Sequence, residues 1–187
     1  MAREPMQYLG VNHVALVAHD MAKTVDFYET VLEMPLVKTV EFPNGRGQHF
    51  FFDCGGGSLI AFFWFRDAPP AAPGIASMHE DVRKNGSLTA VASMNHLAIS
   101  IPLEKFDAYV ERLKAKGVAV YVINHDDSPA GAAPEVHAGT WIRSMYFRDP
   151  NGIHMELAAL TRPFRPEDIA HDPVDAQGRH VRSGELV

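Results

Sequence analysis

The stretch VNHVALVAHDMAKTVDFYETVLEMPLV (residues 11–37) is repeated in outline by MNHLAISIPLEKFDAYVERLKAKGVAV (residues 94–120). Each copy runs from an Asn-His pair through a short apolar run into an amphipathic segment, and self-similarity on that scale marks a duplicated supersecondary unit. In the first copy Val25, Tyr28, Val31 and Leu32 recur at helical spacing behind Asp20, a residue suited to cap a helix N-terminus. In the second, Phe106, Tyr109, Val110 and Leu113 do the same, and Gly117 is placed to end the helix.

Three strands are expected after each helix: 37–42, 48–52 and 58–65 in the first unit, and 118–123, 141–147 and 153–159 in the second. Turn residues separate them at Pro43-Asn44-Gly45, at Cys54-Gly55-Gly56-Gly57 and at Asp149-Pro150-Asn151-Gly152. The spacing predicts an α+β fold of paired βαβββ modules forming one open, cup-shaped β-barrel. A single domain is expected over 1–160, with modules at about 11–65 and 94–160 and a linker at 66–93 rich in Pro, Ala and small polar residues. Residues 161–187 lack apolar periodicity and read as a C-terminal tail, on the surface or disordered.

Composition narrows the partners. The 187 residues carry 17 Lys and Arg against 23 Asp and Glu, a formal charge of -6, with no basic block, which argues against nucleic acid. The single cysteine, Cys54, cannot form an internal disulfide, and MAREPMQYLG lacks the basic-then-apolar layout of a signal peptide. The longest apolar stretch, 59–65, is far too short to span a bilayer. No membrane association is expected, and the protein reads as cytoplasmic.

Side chains two apart on a strand share a face. His13, Ala15 and Val17 therefore fall together, as do His96, Ala98 and Ser100, and His154, Glu156 and Ala158. Small or polar residues on a common side suggest a cavity, with Val14, Leu16, Leu97, Ile99, Met155 and Leu157 turned towards the helices. A lone strand histidine is usually a hydrogen-bonded core residue; two at repeat-equivalent positions, with a carboxylate in a third strand, point instead to a metal site. An apolar-flanked Glu156 needs a cation or strong donors, since burying a bare carboxylate costs several kcal/mol.

Asn12-His13, Asn95-His96 and DPNGIHMEL (149–157) make the chain resemble the vicinal oxygen chelate superfamily, which holds glyoxalase I, type I extradiol dioxygenases and bleomycin-resistance proteins. The likeness covers about 11–160. It implies that the first and last strands of the paired units supply metal ligands, and His13, His96 and Glu156 occupy three such positions. The fourth falls at Ile60 or Ala61, neither of which binds metal. Two His and one carboxylate with open positions suit non-haem Fe(II), with Mn(II) an acceptable substitute.

The resemblance is strongest to single-domain extradiol enzymes, which carry a Tyr and a His upstream of the carboxylate; here Tyr146 and His137 stand ten and nineteen residues before Glu156. That family also has an acid–base His ahead of its second His ligand. His79 is the candidate, at a longer interval than the family's, with a surface-loop histidine as the plain alternative and His125 as another candidate. The implied reaction is cleavage of a catechol beside its two hydroxyls, on a small aromatic diol, 2,3-dihydroxybiphenyl-like among others, with O₂ as co-substrate. His79 would act as acid and base, and His137 and Tyr146 would hold the substrate oxygens. Phe50, Phe62, Trp64 and Trp141 are candidates for sandwiching a flat ring, although core packing is the readier reading of each taken singly; His49 is a candidate polar lining residue or a donor behind the site. With only two modules, the site is expected to be completed by a neighbouring subunit or by the tail, hence a homodimer or higher homo-oligomer. The competing readings are a metal-dependent isomerase, epimerase or thiol transferase of the superfamily, and a metal-free drug-binding protein of the bleomycin-resistance kind.

Overall fold

A computed structural model describes residues 10–68 and 94–169; His79, most of the expected linker and most of the tail lie outside the described residues. The first unit comprises β1 (His13–Val17), α1 (Met21–Asp26), a π turn (Phe27–Val31), β2 (Leu36–Glu41), β3 (Gly47–Asp53) and β4 (Leu59–Phe65). The second comprises β5 (Leu97–Ser100), α2 (Phe106–Ala115), β6 (Tyr121–His125), a two-residue β7 (Ala132–Ala133), β8 (Ile142–Arg148) and β9 (His154–Leu160). The repeat read from the sequence is therefore present, with β7 as an addition to the second unit.

The strands form two separate sheets, ordered β1-β4-β3-β2 and β5-β9-β8-β6-β7. In both, the opening strand lies parallel to the closing one. The registers match: Ala15 pairs with Ala61 in the first sheet as Ala98 pairs with Glu156 in the second. Phe51 lies opposite Ala61 as Tyr146 lies opposite Glu156. Ala61 is thus the structural counterpart of Glu156.

Asp20 caps α1 by accepting from the Lys23 backbone N–H at 3.0 Å. The helix then widens, Leu32 N–H donating to the Phe27 carbonyl at 3.0 Å, five residues back. This wider turn sends the adjacent rings of Phe27 and Tyr28 both into the interior. Tyr28 packs on Phe52 and Phe62 of the first sheet at ring separations of 5.1 and 5.0 Å, and Phe27 meets Phe147 of the second at 6.3 Å. One continuous core results, from the helix-facing sides of both sheets, with Ile60 and Phe62 on one wall and Met145, Phe147 and Met155 on the other.

Polar contacts lock the units together. The Tyr28 hydroxyl donates to Asp149 Oδ2 at 3.3 Å, while Asp149 Oδ1 accepts from the backbone N–H groups of Asn151 and Ile153, each at 2.8 Å. Asn151 in turn donates to Thr24 Oγ1 at 3.1 Å and accepts from the His19 N–H at 2.9 Å. The DPNG turn thus binds the second unit to the first helix. On the far side, Glu33 accepts from Arg112 at 2.7 Å and from Lys116 at 3.1 Å.

Because Tyr28 is fully buried between the sheets, Tyr28→Ala should cost about 3–5 kcal/mol in urea unfolding. Tyr28→Phe, which keeps the ring and loses the hydroxyl contacts to Asp149 and Met155, should cost about 1 kcal/mol. Equal losses would mean that the ring does not bridge the two sheets.

Candidate functional site

With the helix-facing sides spent on the core, the opposite side of each sheet is open. On the second sheet it carries a row of ionisable groups across four strands: His96 ahead of β5, His154 and Glu156 on β9, Tyr146 on β8 and His125 on β6. His96 Nε2 lies 2.7 Å from Glu156 Oε2. Its Nδ1 lies 2.7 Å from Asn95 Oδ1. A carbonyl oxygen only accepts, so Nδ1 carries a proton, and Nε2 donates to the Glu156 carboxylate; a metal ion bound between the two would replace the Nε2 proton and leave Nδ1–H held by Asn95, the tautomer a metal ligand needs. His13 Nδ1 is held identically by Asn12 Oδ1 at 2.8 Å. The Asn-His pairs that marked the repeat each aim an imidazole.

Glu156 is 4% exposed. Burial pushes its carboxyl up, but the His96 hydrogen bond and the positive charges of His96 and His125 outweigh that and hold it below the usual range. Tyr146 is pushed up to about 12, first by burial and then by the neighbouring Glu156 charge. Its hydroxyl is 3.3 Å from His125 Nε2. His154, 5% exposed, packs on Tyr146 at 5.2 Å and on His96 at 5.9 Å. Burial, with the charges of Arg148 and His96, lowers its pKa and favours the neutral ring.

The open side of the first sheet is different in kind. His13, Ala15 and Val17 are exposed there, as the alternation predicted. His13 meets Phe51 edge-on at 5.7 Å, and His49 stacks on Phe63 at 3.6 Å. Where the second sheet presents Glu156 and Tyr146, this one presents Ala61 and Phe51. Among the described residues no cluster of three or more His, Cys, Asp and Glu is within metal-holding reach. His96 and Glu156 meet; His13 does not join them within one chain.

The other expected residues separate clearly. Phe62 is fully buried on the helix side, with Phe50 and Trp64 packed against the same core, so these three do not wall the open face. The rings that do are Phe51, Phe63 and Phe65; carrying His13's alternation across the β1–β4 register would have found them. His137 lies in the loop before β8, its Nε2 2.9 Å from Asp126 Oδ2 and its Nδ1 accepting from the Gly139 N–H at 3.1 Å. Both its nitrogens are engaged away from Tyr146, and the histidine in contact with the Tyr146 hydroxyl is His125. Trp141 stacks between His125 and Phe164, 5.9 Å from each, at the rim of the second face. Phe164 is held there by the following turn, in which Arg162 makes two 2.7 Å bonds to Asp168.

Two clefts, of about 370 and 430 Å³, run between the units, lined by Cys54, Gly55, Ile99 and Ser100 among others, and not by His96, Tyr146 or Glu156. The polar row therefore lies on the side of the sheet away from the core and not in either of them, with Glu156, His154 and Tyr146 buried there.

The profile of the Glyoxalase/Bleomycin resistance protein/Dioxygenase superfamily matches residues 10–157. Among solved structures, a glyoxalase family protein from Enterococcus faecalis is 19% identical with a TM-score of 0.55, over 80% of this chain and 96% of that one. The fosfomycin resistance protein FosX from Listeria monocytogenes is 22% identical with a TM-score of 0.54, over 83% and 96%. A dioxygenase assigned as putative, from Bacillus subtilis, is 22% identical with a TM-score of 0.54, over 81% of this chain and 40% of that one. At these identities the likeness is one of fold.

If Asn95 fixes the ligand tautomer of His96, Asn95→Leu should weaken Mn(II) binding by about 10–100-fold, read by electron paramagnetic resonance titration. Unchanged affinity would show that the pair does not orient a ligand.

Proposed function

We propose that this chain, which belongs to the glyoxalase/bleomycin resistance protein/dioxygenase superfamily, is a divalent-metal enzyme that opens the ring of an aromatic vicinal diol with O₂. The observation that carries the reading is the 2.7 Å contact of His96 with Glu156 beside Tyr146 and His125. The donors fit a divalent ion such as Fe(II) or Mn(II): Nε2 of His96 would exchange its proton for the metal while Asn95 holds Nδ1–H, Glu156 is held ionised, and His13, oriented in the same way, is the third ligand. His13 reaches the other two when the first-sheet face of a second copy closes over the second-sheet face of this one. A homodimer with two shared sites follows, each closed to water by the sheet that supplies His13.

In such a site the ion would supply acidity for a coordinated hydroxyl and an open position for O₂. Everything else falls to the side chains. Tyr146, its pKa raised to about 12, stays protonated at neutral pH and donates to a substrate oxygen. His125, at 3.3 Å from that hydroxyl, takes up or returns a proton at Nε2. His137 is too fully engaged with Asp126 and Gly139 for this part, and His79 keeps the acid–base assignment only as a residue outside the described segments. His154 and Trp141 close the two ends of the row.

The reading predicts that anaerobic loading with Fe(II) or Mn(II), followed by a catechol panel in air, gives O₂ uptake and a yellow ring-fission product. Retained metal without uptake would move the protein to isomerase or transferase chemistry, and no retained metal would favour a sequestering protein. Shared sites are tested by mixing His13→Ala with Glu156→Ala, each inactive alone. Random exchange makes half the dimers mixed, each with one intact site, so activity should return to about a quarter of wild type. A mixture that stays inactive would place the ligands in one chain.

A further inference from the structure

Beyond residue 157, where the likeness to the superfamily ends, the chain leaves β9 and folds back on the rim of the second sheet. Thr161 N–H donates to the Trp141 carbonyl at 3.1 Å, and both Nη atoms of Arg162 donate to Asp168 at 2.7 Å. The Arg162 bonds first, and then the Arg165 N–H at 2.7 Å, hold the Asp168 carboxyl down to about 2, so the pair stays ionised at neutral pH. What this closed turn carries is Phe164, whose ring lies 5.9 Å from Trp141 and is 63% exposed. Neither ring belongs to the core, and a large apolar side chain left so exposed gains little from burial. Trp141 in turn lies 5.9 Å from the His125 ring, tilted by 34°, and its backbone N–H donates to the His125 carbonyl at 3.0 Å. Among the described residues the His125 ring has one hydrogen bond, to the Tyr146 hydroxyl at 3.3 Å, too long to fix an imidazole alone.

We propose that Phe164, seated by the Arg162–Asp168 pair, is a positioning residue for His125. It backs the Trp141 indole, and the indole holds the imidazole in the rotamer that keeps Nε2 on the Tyr146 hydroxyl. A side chain free to change rotamer spends part of its time off that contact, and proton transfer needs donor and acceptor within hydrogen-bond reach. An aromatic contact supplies the restraint without a charge or a hydrogen bond that would compete for the ring nitrogens. The turn therefore acts on proton transfer and not on metal binding, since neither Phe164 nor Arg162 stands in the row that holds His96 and Glu156. Trp141 is the link between the two, a support for His125 at the rim.

The part of His125 in turnover rests on the ring-opening reading above, and the experiment separates the two. With the histidine nitrogens isotopically labelled, NMR of the metal-free protein at about pH 8.5, where an imidazole is neutral, reads the tautomer of His125, assigned by its loss in His125→Gln. Wild type should show a single tautomer. Phe164→Ala and Arg162→Ala should each turn it into an exchanging mixture, and Phe164→Tyr, which keeps the ring, should behave as wild type. In metal-loaded protein turning over a catechol in air, the two Ala variants should lower kcat about tenfold with KM and Mn(II) affinity unchanged. If the ring-opening reading fails, no form of the protein turns over a catechol, and the tautomer spectra still decide the positioning role. That role is overturned if wild-type His125 is already a mixture, if it stays a single tautomer in the Ala variants, or if their kcat stays at the wild-type value. Far-UV circular dichroism establishes that both variants are folded, and loss of fold in one leaves the other to decide.

Discussion

Tyr28 between the sheets is the contact on which the molecule depends. Its ring fills the space between Phe52 and Phe62 on one side, and its hydroxyl reaches Asp149 on the other. Once both sheets have turned their helix-facing sides to this one core, their other sides face away from it, with no described helix packed on them. Phe27 and Tyr28 enter that core side by side from the π turn, one ring toward each sheet. The placement of every chemically interesting residue follows: those in phase with Ile60 and Met155 pack, and those in phase with His13 and Glu156 are presented.

Much of this was legible in the sequence. The doubled Asn-His and the helical spacing after it gave both units. Alternation put His13, Ala15 and Val17 on one face, which the structure leaves exposed where a cavity lining was expected, and Asp20 is the cap it was read to be. DPNG was read as a turn, but its larger part in joining the units depends on Thr24, His19 and Tyr28, all more than a hundred residues away. No local pattern carries that information.

The aromatic wall shows where pattern reading fails. Residues 59–65 are apolar at every position, so hydrophobicity cannot tell the packed side from the open one; only the pairing of Val17 with Phe63, which ties β4's phase to β1's, does so. Phe62 and Trp64 were therefore on the wrong side and Phe63 and Phe65 on the right one. Spacing similarly drew His137 toward Tyr146, while the loop hydrogen bonds to Asp126 and Gly139 turn it elsewhere. His125 lies two strands from Glu156 and reaches Tyr146 because β6 pairs with β8, Tyr121 opposite Tyr146.

In the proposed dimer, the exchange of Glu156 and Tyr146 for Ala61 and Phe51 would also govern self-recognition. A chain built from two identical units would show the same face twice and could stack on its copies in either order, forming open chains as readily as closed pairs. With rings on one face and acids and imidazoles on the other, like-to-like stacking would bury Glu156 against a second Glu156, or leave the polar row desolvated without donors. Unlike faces would bring His13 to His96 and Glu156, and a two-fold axis would make both such contacts at once. Under that proposal, Ala61 in the place that Glu156 holds in the second unit would write the stoichiometry of the assembly into the strands themselves.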